Sequence, residues 1–162
     1  MTNREFFIQR WSDEYPLFLK VFKALPHDKL DFRPHERSRS AAELVWHMIC
    51  EAQVGVPMID TRSVDWKETP PTLSLEEMVA AYEKAHSDLE WRLKKLDDKA
   101  WNESKAKLLV AGHAAYEAPL REMFWGVLFE GIHHRGQLST YIRPMGGKVP
   151  AIYGPSADDK GA

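Results

Sequence analysis

The sequence has little of what several classes of protein require. It contains one cysteine, Cys50, so no internal disulfide can form, and a place in the core suits this residue better than nucleophilic chemistry. No apolar run approaches the roughly 20 residues that span a bilayer, and the segment from Met1 to Arg4 lacks the apolar core of a signal peptide. We therefore expect a cytoplasmic protein without a membrane partner.

The sequence also lacks an excess of charge of either sign. Lys and Arg total 22 against 24 Asp and Glu, which gives a net charge of -2 and a pI near 6.4. This balance leaves no basic surface for nucleic acid or anionic lipid, so a partner recognised by bulk charge is disfavoured. The length of 162 residues is enough for one domain to bury its own core.

Helical periodicity and helix start signals recur along the chain. Ser40-Ala-Ala-Glu43 and Ser74-Leu-Glu-Glu77 are capping boxes, and Pro119 suits the first turn of a helix. Pro16 lies inside the first periodic segment and predicts a kink or break there. The predicted helices span residues 3–25, 44–59, 75–97 and 119–143.

The connections between these helices are long. Residues 60–73 exceed the usual helix-to-helix loop of roughly 2 to 8 residues and are expected to wall a pocket. Gly112-His113 lies between two short runs, which is typical of a small hairpin. The pattern predicts an all-α four-helix bundle with long crossover connections, as a single domain over residues 1–156 followed by a disordered tail at 157–162.

The fourth predicted helix carries the most informative pattern. Glu130 and His134 lie one turn apart, a spacing that lets two side chains converge on one metal ion. A buried carboxylate or imidazole is costly unless it is paired, so an inward face that turns polar requires a partner. That face comprises Met123, Val127, Glu130, His134, Gln137 and Tyr141.

A third candidate ligand lies on the second predicted helix. His47 shares an inward stripe with Leu44 and Met48, so it projects toward the core. With Glu130 and His134 it forms a set of two imidazoles and one carboxylate, which predicts a mononuclear divalent-metal site with open coordination positions. Five further residues are expected around the metal or along the pocket: Glu51, His133, Gln137, Tyr141 and Trp46.

Spacing alone leaves alternatives open. Glu130 could simply bond His134 within the helix while His47 is a satisfied core histidine, with no metal present. His133 could also replace His134 as the ligand, since it lies about 100 degrees around the helix. Arg135 is expected on the surface. The same holds for His27, His35, His86 and His113, which are expected at the surface or in turns.

Several short motifs, spread over nearly the whole chain, resemble the DinB family. They are HHRGQLSTY at 133–141, RPMG at 143–146, VP at 149–150 and YGPS at 153–156, supported upstream by LP at 25–26, FRP at 32–34 and ELVWH at 43–47. The resemblance implies a four-helix bundle, often a homodimer, that binds one divalent metal through a histidine of helix two and an HxxxH pair of helix four. His47 and His134 match the first and last of these histidines, and Glu130 holds the position of the middle one.

The resemblance also implies chemistry. Thiol-dependent S-transferases and a thiol-dependent maleylpyruvate isomerase belong to this superfamily. We therefore expect a metal-dependent transferase or hydrolase, in which the metal activates a low-molecular-weight thiol or water toward a small-molecule substrate. A non-catalytic metal or small-ligand binding protein is the alternative. A carboxylate at position 130 shifts preference toward iron, manganese or nickel, although two histidines and a glutamate also bind zinc.

Overall fold

The computed structural model describes residues 1–69 and 74–161 and shows a mostly helical chain. Residues 70–73 of the predicted pocket-walling loop and Ala162 of the predicted tail lie outside the described residues. A short 3-10 turn at His27–Lys29 follows the first helix. The helices and strands are α1 (Asn3–Lys23), α2 (Ala41–Gln53), α3 (Gly55–Asp60), β1 (Ser63–Trp66), α4 (Leu75–Lys95), α5 (Asp98–Glu103), β2 (Lys105–Val110), β3 (His113–Pro119) and α6 (Leu120–Ile142).

Both predicted capping boxes are confirmed. The Ser40 hydroxyl accepts from the Glu43 amide while the Glu43 carboxylate accepts from the Ser40 amide, and Ser74 does the same with Glu77. These reciprocal bonds satisfy amides that the first helical turn leaves free. They fix the starts of α2 and α4.

The long helices α1, α2, α4 and α6 bury their apolar faces against one another, with α1 and α2 each contacting both α4 and α6. Between α1, α5 and α6 the core is aromatic: the Phe7 ring lies 5.1 Å from Trp101 and 5.7 Å from Phe124, measured between ring centroids. Fully buried aliphatic side chains such as Leu44 and Leu89 fill the layer between α2 and α4.

Two helix boundaries differ from the prediction. α1 continues through Pro16 without a break, because buried side chains on both sides of the proline, including Trp11 and Phe18, hold it in the core. Their burial outweighs the roughly 3 kcal/mol that an interior proline costs. The second predicted helix is instead two: α2 ends at Gln53 and α3 follows, since Pro57 has no amide to donate to the Gln53 carbonyl.

A small three-stranded sheet, in the order β1-β2-β3, corrects the all-α expectation. The predicted hairpin is confirmed: β2 and β3 are antiparallel around a turn in which Ala111 and Gly112 have positive φ values of 51° and 77°. β1 pairs in parallel with β2, with Val64 opposite Leu108. The sequence prediction missed β1 because four residues are too few to show a strand period.

The segment after α6 folds back along the helices. Ala151 is buried, and the Asp158 carboxylate accepts from Arg143 and from the Val149 amide. Residues 157–161, for which disorder was expected, thus include a side chain tied to the end of α6. Within the described part of the chain, no helix is both long enough and apolar enough to cross a membrane.

Candidate metal centre

Three side chains from α2 and α6 meet at one point in the core. One ligand atom from each of His47, Glu51 and His134 can be chosen so that all three lie within 4.8 Å of one another. The Oε1 atom of Glu51 lies 3.4 Å from His47 Nε2 and 3.1 Å from His134 Nδ1. The two imidazole rings stand nearly perpendicular, with centroids 4.6 Å apart. Atoms from two helices that could bind a metal thus lie together in one small volume.

Two atoms of this cluster that could bind a metal are buried without a hydrogen-bond partner among the described residues. They are Glu51 Oε2 and His134 Nδ1, the latter being close to Glu51 Oε1 but not in hydrogen-bonding geometry. Glu51 is only 8 % exposed. Buried polar atoms are normally paired, because an unpaired one costs about 1–3 kcal/mol. A cation held between the three side chains would satisfy both atoms.

His47 is oriented by a carboxylate from the loop after β1. Glu68 Oε2 lies 2.8 Å from His47 Nδ1, and the other oxygen of Glu68 accepts from Arg39. If Nδ1 carries the proton and donates it to Glu68, the lone pair of the ring is left on Nε2, which faces Glu51. Trp66 packs edge-on against the same ring at 5.4 Å. Glu68 was not among the predicted site residues, because a loop residue leaves no periodic signal in the sequence.

The pKa values of the cluster reflect burial and pairing together. Burial alone would lower the pKa of His47, but hydrogen bonds to Glu51 and Glu68 outweigh it and hold that pKa above its ordinary value. Burial would raise the pKa of Glu51, and the two neighbouring imidazoles outweigh it, so the pKa of this carboxyl is lowered. Glu51 is therefore ionised near neutral pH, which is the form that binds a metal.

The predicted site residues fall into two groups. The structure brings His47 and His134 together, and it places Glu51 rather than Glu130 beside them. Glu130 is exposed and lies outside this cluster, so its role as a ligand stays a prediction. The other predicted residues differ in burial. His133 is exposed, and its ring lies 5.3 Å from that of His134. Gln137 and Trp46 are half-buried, and the buried Tyr141 donates a hydrogen bond to the Arg39 carbonyl at 3.2 Å.

The position of Glu130 follows from the rotation of α6. The predicted inward face is about one residue, or roughly 100 degrees, away from the face that is most deeply buried. Glu130 is exposed, and Val127, His134 and Gln137 are only half-buried, because they lie on the flank of the helix. The buried stripe consists of Phe124, Leu128, Gly131, Arg135, Leu138 and Ile142. His134 reaches Glu51 from the edge of that stripe.

Arg135, expected on the surface, is instead 2 % exposed. Its guanidinium donates to Glu14 and to the Tyr153 hydroxyl, each at 2.6 Å, and lies over the Phe18 ring at 4.7 Å from the centroid. An arginine can be buried when its donors are paired in this way. The contacts join α1, α6 and the segment after α6 next to His134.

Gly131 allows α6 to approach α1 and α2 closely. A Cβ atom at this position would lie 3.1 Å from Phe18 Cζ and 3.9 Å from Glu51 Oε2. The first distance is tighter than a comfortable contact, so a side chain here would push α6 away from Phe18. The absence of a side chain at Gly131 therefore helps to bring His134 within reach of Glu51.

Two other reactive side chains are buried. Burial raises the pKa of the Cys50 thiol to about 11, so it stays protonated near neutral pH, in agreement with the predicted core role. His86 was expected at the surface, but it is 5 % exposed, stacked against Trp11 and packed against Tyr15. Its Nε2 lies 3.2 Å from the Trp11 carbonyl, to which it donates. The Trp11 and Tyr15 rings thus bury His86, although the helical pattern of the sequence placed it on the polar, solvent-facing side of its helix.

A cavity of about 380 Å³ lies beside the cluster, and Glu51 is part of its wall. The rest of the wall comes from Val54 between α2 and α3, from α3, from all three strands and from α6. Ligand pockets for small molecules typically measure about 300–1,000 Å³, so the cavity can hold one. The wall residues include Met58, Trp66, Leu108, Tyr116, Met123 and Glu130. The sheet that the sequence did not predict in full forms one side of this cavity.

Comparisons with known proteins agree with this architecture. The model of the DinB family matches residues 1–160. A DinB-like protein from Bacillus cereus ATCC 10987 superposes with a TM-score of 0.73 at 18% identity, covering 92% of this chain and 97% of that one. A DinB-like protein from Bacillus subtilis gives a TM-score of 0.67 at 18% identity, covering 86% and 91% of the two chains. At this identity the two structures are evidence for a shared fold alone. No curated protein matches the sequence. Because the family model covers nearly the whole length, the chain belongs to the DinB family.

Proposed function

We propose that this chain is a divalent-metal protein whose ligands are His47, Glu51 and His134, and that it acts as a transferase or hydrolase on a small electrophilic molecule. The observation that carries the proposal is the convergence of three donor groups, two with unpaired buried atoms, beside a cavity of about 380 Å³. Surface clusters of acidic groups are common without metal. A buried cluster with unpaired donors is not, because each unpaired atom destabilises the fold.

The donor set fits a catalytic metal. Two imidazoles and one carboxylate suit zinc, nickel, iron or manganese, and three protein ligands leave positions open for other groups. When bound, a divalent ion would supply Lewis acidity that lowers the pKa of a coordinated water or low-molecular-weight thiol. Charge balance, orientation of the ligands and contact with the substrate would come from the side chains around the ion.

Each side chain near the cluster has a distinct task in this proposal. Glu51 supplies the negative charge that offsets part of the charge of the ion, while Glu68 and Arg39 hold the His47 ring in one orientation. Trp66 restricts water beside His47. Glu130, on the cavity wall, faces the substrate rather than the metal in this assignment. Its lower burial agrees with such a position.

Metal analysis of matched variants tests the ligand assignment. We expect near-stoichiometric metal in the purified wild-type protein. Glu51→Gln and His134→Ala should each lose at least tenfold in zinc or nickel affinity, because a neutral amide oxygen is a weaker ligand than a carboxylate and alanine has no ligand atom. Glu130→Gln is the control, since it makes the same chemical change one helix away and should keep its affinity. If Glu130→Gln loses metal and Glu51→Gln does not, Glu130 is the ligand.

Catalysis requires a separate assay. A panel of low-molecular-weight thiols and water is offered with model electrophiles such as chlorodinitrobenzene, using metal-loaded protein and protein stripped by a chelator. We expect turnover only in the loaded form. Equal rates in both preparations exclude a metal-dependent enzyme, and a metal-loaded protein without turnover across the panel supports the non-catalytic binder instead.

We also infer a homodimer. Support comes from an exposed aromatic surface on α1 and α6, in which Phe6 is 40 % and Phe129 is 60 % exposed, and Trp125 stacks on Phe129 at 5.6 Å. Large exposed aromatic side chains that lie together are typical of interaction surfaces. Light scattering after size-exclusion chromatography measures the mass directly, and a monomeric mass at micromolar concentration would contradict the inference.

A further inference from the structure

The wall of the cavity beside the metal cluster combines an apolar surface with charge of one sign. Most of the wall is apolar or aromatic: Val54, Met58, Trp66, Leu108, Tyr116, Met123 and Val127. The charged side chains on the wall are Glu51, Glu122 and Glu130, and among the described residues no lysine or arginine lines it. Glu51 faces the His47 and His134 imidazoles at 3.4 and 3.1 Å, and Glu122 lies 3.7 Å from Arg121.

The three glutamates are not equivalent. Glu51 is buried, with 8 % of its surface exposed, and forms part of the wall. Its Oε2 atom has no hydrogen-bond partner among the described residues and is itself closed off from solvent. Glu122 and Glu130 are exposed residues of α6 on the same wall, so water reaches them. A concave surface of low polarity focuses the field of such charges into the space it encloses. The cavity is therefore a place where positive charge is stabilised.

We propose that the cavity binds small molecules that carry a cationic nitrogen on an apolar, preferably aromatic, body. Trp66 and Tyr116 offer aromatic area to the body, and Glu122 or Glu130 pairs with the cation. The proposal rests on the proposed function in that this cavity serves as the substrate site of the metal centre. The preference for positive charge comes from the wall carboxylates Glu122 and Glu130, and it is tested without metal because a divalent ion held by Glu51 would offset it.

The expected preference is modest for each carboxylate. An exposed ion pair contributes about 0.2–1 kcal/mol, which is roughly a one-and-a-half- to fivefold change in affinity. An anionic ligand of the same size loses this contribution and is repelled by the same groups. Attraction and repulsion at Glu122 and Glu130 together should separate a cationic from an anionic ligand by about fourfold or more.

Three probes with one shared body isolate the charge. They are 2-phenylethylamine, 2-phenylethanol and 3-phenylpropanoate, which are a cation, a neutral molecule and an anion on the same phenylethyl skeleton. Calorimetric titration is done with chelator-stripped and with metal-loaded full-length protein, since a carboxylate probe can bind the metal itself. In the stripped protein we expect the amine to bind most tightly, followed by the alcohol and then the carboxylate.

Matched variants assign the preference to the wall. Glu130→Gln and Glu122→Gln should each weaken the amine roughly two- to fivefold without changing the alcohol, and the double variant should bring the amine close to the alcohol. Glu103→Gln, an exposed glutamate that does not line the cavity, is the control and should change nothing. The proposal is overturned if the stripped wild type binds the carboxylate as tightly as the amine, or if the double variant keeps the full preference. Metal content, measured on the same samples, separates this outcome from failure of the metal assignment.

Discussion

Replacing Gly131 by alanine should destabilise the protein relative to the same replacement at Gly136. Both glycines lie inside α6, so alanine at either position gains about 1 kcal/mol of helix propensity. At Gly136, apart from the adjoining backbone of α6, no atom of the described residues lies within 4 Å of the new Cβ, so that gain is realised in full. At Gly131 the new Cβ would lie 3.1 Å from Phe18 Cζ and 3.5 Å from Phe18 Cε1.

The size of the penalty at Gly131 depends on whether Phe18 can move. Its ring is 3 % exposed, lies under the Arg135 guanidinium and packs against Tyr82 at 5.4 Å between centroids. A side chain held on several sides yields little, so the overpacking cost should be about 1–3 kcal/mol. Subtracting the propensity gain, Gly131→Ala should range from neutral to about 2 kcal/mol destabilised.

Urea unfolding followed by far-UV circular dichroism measures both variants. We expect Gly136→Ala to be about 1 kcal/mol more stable than the wild type, a rise of roughly 2–4 °C in melting temperature for a chain of this length. Gly131→Ala should fall about 1–3 kcal/mol below Gly136→Ala and should also bind metal more weakly, since α6 must retreat from Glu51. If the two variants gain the same stability, the close approach of α6 to Phe18 at Gly131 does not constrain the residue at that position.

Two further predictions concern buried charge. Arg135→Met should lower the free energy of unfolding by about 3–5 kcal/mol, since it leaves Glu14 without its cation. Adding Glu14→Met should restore part of that loss. A loss of less than about 1 kcal/mol for Arg135→Met in urea unfolding would contradict this prediction. Burial lowers the pKa of His86, with the Trp11 carbonyl and Glu90 opposing and Lys94 adding to the shift. The His86 side chain therefore binds a proton more readily in the unfolded chain than in the folded one. The contribution of neutral His86 to the free energy of unfolding is complete above pH about 6.5, and it is lost as the pH falls through that value toward the pKa of the folded state. His86→Phe should flatten this part of the stability profile from pH 7.5 to 5, and an unchanged slope would contradict the assignment.

The sequence predicted those parts of the fold that local chemistry determines. Ser40 and Ser74 with their paired glutamates mark helix starts in any context, and Gly112 marks a turn, so all three signals were confirmed. The continuity of α1 through Pro16 was not predictable, because it depends on core contacts from other elements. β1 is a strand only because β2 lies beside it.

The choice between Glu51 and Glu130 shows the same limit within the site. Each glutamate is one helical turn from a candidate histidine, so spacing cannot distinguish them. The deciding quantity is the rotation of α6, and its buried stripe runs through Gly131 and Arg135. Neither residue marks an apolar stripe in a sequence, since glycine adds no apolar side chain and arginine is usually exposed. The stripe becomes recognisable only when Glu14 is seen to pair with Arg135.

The parallel pairing of β1 with β2 also has a consequence for the order of folding. Ser63 lies opposite Lys107, and the chain between them includes α4 and α5. Contacts that close so long a segment form late, because the entropy of closure must be overcome before the pairing stabilises anything. His47 and Glu51, by contrast, are juxtaposed as soon as α2 forms. The helix carrying two of the three side chains can therefore form before the cavity wall does, and in pulse-labelling exchange during refolding the amides of α2 should become protected before those of β1.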